Sequence, residues 1–145
     1  IIHAKCGDKI IFIETRRPPI YAENKAEACI EVPAGLVGDE VNGETVIDAV
    51  KKELMEETGY SAEKIEIVVP LMSSSGGCTS ETSAMAVADI YNDKIIKEPV
   101  TDGGIIIKRY KIPVSEAENW IKQQQEAKKC ISAQALAALY FAKTH

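Results

Sequence analysis

Histidine is nearly missing from this chain. Its two copies, His3 and His145, stand at the ends of the sequence. That leaves no central imidazole for a Ser-His-Asp or Cys-His nucleophile. Cysteine is scattered. Cys6, Cys29, Cys78 and Cys130 form no Cys-x-x-Cys pair, and no histidine is placed to complete a zinc site. Reduced thiols in a cytoplasmic protein are the expectation. An excess of basic residues is also lacking. The net charge of -5 argues against nucleic acid or an anionic membrane as a partner. No apolar run approaches ~20 residues, so no segment reads as a membrane-spanning helix. None reads as a signal peptide, and a start at Ile1 without Met leaves an upstream leader open. Repeats, linkers and low-complexity tracts are absent.

What remains is ordinary in amount. The chain has 145 residues and 46% are hydrophobic, enough for one core and one domain spanning 1–145. "IIHAK" and "KIIFIE" flank Gly7-Asp8 and predict a hairpin. Pro18 and Pro19 end that strand, because neither can donate a ladder bond. "ACIEV" predicts a short strand closed by Pro33-Ala34-Gly35, and residues 36–44 a loop. Thr45 to Thr58 reads as a helix. Thr45 with Asp48 makes a capping pair, and Gly59 suits the left-handed position after the last turn. "KIEIVVPLM" follows as a strand in which Pro70 marks an edge or bulge. "TSAMAVADI" and "GIIIKRYKI" complete the strands. Ser115 with Glu118 predicts the start of one helix, and "SAQALAALYFA" another. The sum is a mixed α/β (α+β) domain.

The stretch "KKELMEETGY" crowds Glu53, Glu56 and Glu57 together. At roughly 100° per residue, Val46, Ile47, Val50 and Leu54 share one face. Glu53 and Glu57 fall at its edge and Glu56 just beyond, while small Ala49 leaves room on the acidic flank. The plain alternative is a solvated face, with Lys52 and Glu56 as an i, i+4 pair worth a few tenths of a kcal/mol. Carboxylates crowded at the border of a core repel one another unless a cation intervenes. An all-oxygen site of this kind suits Mg²⁺, with Mn²⁺ as a substitute.

The whole stretch "GDEVNGETVIDAVKKELMEETGY" resembles the Nudix box, G-x5-E-x7-R-E-U-x-E-E-x-G-U with U apolar or aromatic. Gly38, Glu44, Glu53, Leu54, Glu56, Glu57, Gly59 and Tyr60 match, and only Lys52 departs, standing in place of Arg. Lys keeps the charge and loses the planar fork. The resemblance implies an α/β/α sandwich around a mixed β-sheet and hydrolysis of a nucleoside diphosphate linked to another group. It implies Glu53 and Glu57 as the main metal ligands, Glu56 assisting, and Glu44 supporting the helix. An acidic site cannot take a diphosphate without metal, so the implied chemistry is consistent.

The flanks resemble the ADP-ribose pyrophosphatase branch. "RRPPI" precedes "IEVPAGLV", and "SSGGCTSE" is similar to the branch's loop after the box, with Ser75 in place of Pro. The branch implies Gly35 as the structural counterpart of the box glycine and the Ala34 carbonyl as a backbone metal ligand. It implies Arg17, Glu31 and Glu81 as substrate contacts. Their plain alternatives are a surface arginine, a cross-strand partner and a loop cap. The branch's acid before the late strand has no match, since Gly104 and Ile105 stand near its place. Asp102 is the nearest acid and the candidate base, with Glu98 further away. The implied substrate is ADP-ribose or a related nucleoside diphosphate sugar, and the implied assembly a homodimer. The alternatives are a MutT-type nucleoside triphosphate pyrophosphatase and a nucleotide-binding domain with little turnover.

Overall fold

The computed structural model describes residues 1–38, 42–99 and 105–144. Its strands are β1 (Ile2–Cys6), β2 (Lys9–Thr15), β3 (Cys29–Glu31), β4 (Ala62–Ser73), β5 (Thr82–Ile90), β6 (Ile106–Pro113) and β7 (Cys130–Ile131). Its helices are α1 (Pro18–Asn24), α2 (Val46–Thr58), α3 (Val114–Glu126) and α4 (Ala133–Thr144). The strands form one mixed sheet in the order β4-β5-β1-β2-β3-β7, with β6 on β2. β1 runs parallel to β5 and β3 to β7, and the remaining pairs are antiparallel.

Alternation along the strands builds two cores. Ile10, Phe12, Ile30 and Met85 face Ala117 and Ile121 of α3 and Ala135, Ala138 and Leu139 of α4. Ile2, Ala4, Ile11, Ala86 and Ala88 face Val50 and Leu54 of α2. A side-chain period of two sends neighbours to opposite faces, so helices cover both sides of the sheet. This is the expected α/β/α sandwich.

One feature of the sheet makes room for a site. β2 pairs with β6 from Lys9 to Thr15, which occupies one edge. Its other edge is divided. β1 takes Lys9 and Ile10, and β3 takes Ile13 to Thr15. β3 and β1 therefore meet end to end, joined where the Ile2 N–H donates to the Pro33 carbonyl at 2.8 Å. The chain leaves the sheet at this break and enters the loop before α2.

α2 is closed at both ends as its sequence requires. Thr45 Oγ1 accepts from the Asp48 N–H at 3.2 Å, and the Asp48 carboxylate accepts in return from the Thr45 N–H. Gly59 takes φ +77° after the last turn. A Cβ there would strike the Lys97 carbonyl and crowd Ile95. Gly59→Ala is expected to lower the unfolding free energy by about 2 kcal/mol or more, read as a fall in the urea midpoint with m unchanged.

Several details differ from the sequence reading. Ile47 is exposed instead of sharing the core face. The buried arc is Ala49, Val50, Leu54 and Thr58, with Val46 packed at its edge. α3 begins at Val114, with Pro113 as its N-cap and no side-chain cap, so Ser115 does not open it. The strand β6 runs directly into the helix and leaves no free residue to cap. "PPIYAEN" forms the helix α1, where the prolines begin a helix as well as end a strand. The two-residue strand β7 was not foreseen. Pro70 does sit in the edge strand β4, which breaks register on both sides of Val69. No helix among the described residues is long and apolar enough to cross a membrane.

Candidate active site

A cavity of about 580 Å³ opens at the β3–β1 break. Arg17, Ala34, Gly35, Glu53 and Glu81 line it, and Ala49 contributes its small side chain. The cavity brings together residues that lie far apart in sequence. Arg17 follows β2, Ala34 and Gly35 follow β3, Glu53 comes from α2 and Glu81 precedes β5.

Glu57 stands one turn beyond Glu53. Its Oε2 accepts from the Ala34 N–H at 3.0 Å. Burial pushes its carboxyl up, the Ala34 bond opposes this in part, and the neighbouring Glu53 and Glu31 push further, leaving it at about 7. Gly35 lies so close to Glu53 that a Cβ would overlap the carboxylate. Gly38 has open space around it and instead donates its N–H to Glu44 Oε2 at 2.8 Å. Gly35 is thus the glycine that the close approach demands, and Gly38 anchors Glu44.

Lys52 stands 3.6 Å from Glu44 Oε1 and 3.8 Å from Glu53 Oε1. It bridges the loop to the helix instead of pairing with Glu56. An ammonium contacts both acids as a point charge where a guanidinium would lock one of them with two bonds. Among the described residues, no three Asp, Glu, His or Cys side chains converge as a preassembled metal cluster. Glu57 is turned to the Ala34 amide, and Glu53 lies against Gly35 and Lys52.

Arg17 and Glu31 form a bidentate pair with each other, Nε to Oε1 at 2.8 Å and Nη2 to Oε2 at 2.6 Å. The guanidinium keeps further N–H donors beyond these two bonds. Glu81 accepts from Ser74 Oγ at 3.3 Å across the loop between β4 and β5. Glu56 is half-buried on α2 and does not line the cavity. Asp102 lies outside the described residues.

Sequence reasoning missed Arg109. Its Nε donates to the Glu57 carbonyl, tying β6 to the last turn of α2. "IIIKRYK" offered the clue that one side of β6 must bury a polar residue. Glu14 was missed too. Burial alone would raise its carboxyl, but hydrogen bonds from Tyr110 (2.5 Å) and Lys129 (2.9 Å) outweigh this and hold it below the usual range. That group lines neither cavity and joins β2, β6 and the turn after α3.

No family model matches the chain. Curated relatives do. The ADP-ribose pyrophosphatase of Escherichia coli (strain K12) is 30% identical over 83 residues, which is 57% of this chain and 38% of that protein. Putative nudix hydrolase 2 of Caenorhabditis elegans is 37% identical over 65 residues, 45% of this chain and 28% of its own length. The chain is related to the Nudix hydrolases. The relationship is of the ADP-ribose pyrophosphatase-like kind, although the match spans well under half the length of each of these curated relatives. The crystal structure of an ADP compounds hydrolase superposes with a TM-score of 0.70 at 19% identity, covering 99% of this chain and 69% of that one. That likeness shows that the two chains share the sandwich fold described above.

Proposed function

We propose that this chain is a divalent-metal-dependent Nudix hydrolase. Its substrate is ADP-ribose or a related nucleoside diphosphate sugar, and ADP-ribose yields AMP and ribose 5-phosphate. The observation that carries the reading is the cavity at the β3–β1 break, where Glu53, Ala34, Arg17 and Glu81 face one space.

The donor set fits Mg²⁺ or Mn²⁺. Glu57 is pushed up to about 7 by burial and by Glu53 and Glu31, which is how a carboxylate behaves in a site short of positive charge. Glu53, Glu57 and the Ala34 backbone would hold the ion, with Glu56 beside them. A bound divalent cation supplies charge for the phosphoryl oxygens and acidifies water. The remaining work falls to the chain. Arg17 turns its free N–H donors to the diphosphate and is itself aimed by Glu31. Lys52 and Arg109 hold α2 in place, one through Glu44 and one through the Glu57 carbonyl. Glu81 contacts the substrate from the β4–β5 loop, and Asp102 is the proposed base.

Product release from ADP-ribose, UDP-glucose, GDP-mannose and 8-oxo-dGTP, measured with Mg²⁺ and with Mn²⁺, tests the proposal. ADP-ribose is expected to lead the panel, and Asp102→Asn to slow it about 10²-fold. A preference for the triphosphate would move the chain to the MutT type. Metal-dependent binding without any turnover would leave a nucleotide-binding domain.

A further inference from the structure

Helix α1 is seven residues long, and none of them is buried. A helix this short is marginal without packing, so the core does not explain it. It does form one wall of a second cavity, of about 380 Å³, lined by Arg16, Arg17, Pro18, Tyr21 and Glu27. Arg17 lines both cavities. The residue assigned to the diphosphate is thus shared by the two spaces.

The chemistry of the second space is specific. Tyr21 is 51% exposed, with Lys25 Nζ 5.6 Å from its ring centroid. Arg16 and Glu27 bring opposite charges to the same groove, yet neither has a side-chain partner among the described residues. An aromatic ring, an unengaged guanidinium and an unengaged carboxylate suit a flat ligand bearing donors and acceptors at its rim. A nucleobase has that form. Its face stacks on Tyr21, an exocyclic amino group donates to Glu27, and a ring nitrogen accepts from Arg16.

We propose that Arg16, Tyr21 and Glu27 form the base subsite of this enzyme and select an amino-bearing base over uracil. The inference rests on the diphosphate hydrolysis proposed above. With the diphosphate at Arg17, the base lies in the α1 groove and the reacting phosphorus faces Glu53.

ADP-glucose and UDP-glucose share the sugar and the diphosphate, and differ only in the base. The wild type is expected to favour ADP-glucose by about tenfold or more in kcat/KM. Tyr21→Ala is expected to raise KM for ADP-glucose about tenfold, and Tyr21→Phe to restore it. Glu27→Gln is expected to collapse the ADP/UDP preference. An unaltered KM in Tyr21→Ala, or an unaltered preference in Glu27→Gln, overturns the subsite. If neither compound is turned over, the hydrolase reading fails and AMP binding followed by NMR still decides the subsite. About tenfold weaker AMP binding in Tyr21→Ala, with ribose 5-phosphate binding unaffected, supports it. Equal AMP affinity sinks it.

Discussion

Glu57→Gln is expected to lower kcat by on the order of 10²–10³ at saturating Mg²⁺, with the fold intact. Gln has the shape of Glu and can still accept from the Ala34 N–H, so the bond at 3.0 Å survives. What it loses is the negative charge. Glu53→Gln is expected to cost as much, because Glu53 lies on the cavity wall against Gly35. Glu63→Gln, on the exposed face of β4, is the control and should leave turnover unchanged. Thermal melts by circular dichroism separate folding from chemistry. A kcat within tenfold of wild type in both α2 variants would remove Glu53 and Glu57 from the reaction and leave them a structural role only.

The parts of the fold that read cleanly in the sequence are those set by local chemistry. Thr45, Asp48 and Gly59 each act within one turn of their own position, and α2 begins and ends where they place it. Strand β5 runs from Thr82 to Ile90 as its apolar run suggests. Non-local causes were less visible. Ile47 is exposed, because which part of a helix face is covered depends on what packs against it, and no helical wheel contains that. β7 exists only because Cys130 and Ile131 meet Cys29 and Ile30 in parallel register. α1 is held without any buried residue, so hydrophobic periodicity could not announce it.

The site divides in the same way. The glutamates of α2 stand in a motif, and the cavity brings Arg17, Ala34, Glu53 and Glu81 to one place. The motif did not show that Arg17 and Glu31 would be engaged with each other. Nor did it show that Lys52 would reach back to Glu44. Arg109 acts across the sheet from 52 residues away in sequence, and only the pairing of β6 with β2 puts it beside α2.

Metal-free protein is expected to lose stability as the pH rises from about 4.5 to about 7, and Mg²⁺ to return it. The Glu57 carboxyl has an ordinary value of 4.5 and is held at about 7 in the folded chain, chiefly by burial. Below 4.5 it is protonated both folded and unfolded, and contributes nothing to the balance. Between 4.5 and 7 the unfolded chain releases the proton while the folded chain keeps it. Folding must then take up a proton, so stability falls with rising pH. Above 7 the loss is complete, at up to ~3 kcal/mol. A divalent cation on Glu53 and Glu57 favours the ionised form and cancels the loss. The increase in Tm on adding Mg²⁺ should therefore be small at pH 5 and several degrees larger at pH 8. Glu57→Gln cannot ionise, so it should flatten this part of the metal-free profile and sit above the wild type at pH 8. A Mg²⁺ effect equal at both values, with a wild-type profile parallel to that of Glu57→Gln, would mean that the Glu57 charge is already balanced by the chain itself. The site would then have no electrostatic need for the ion.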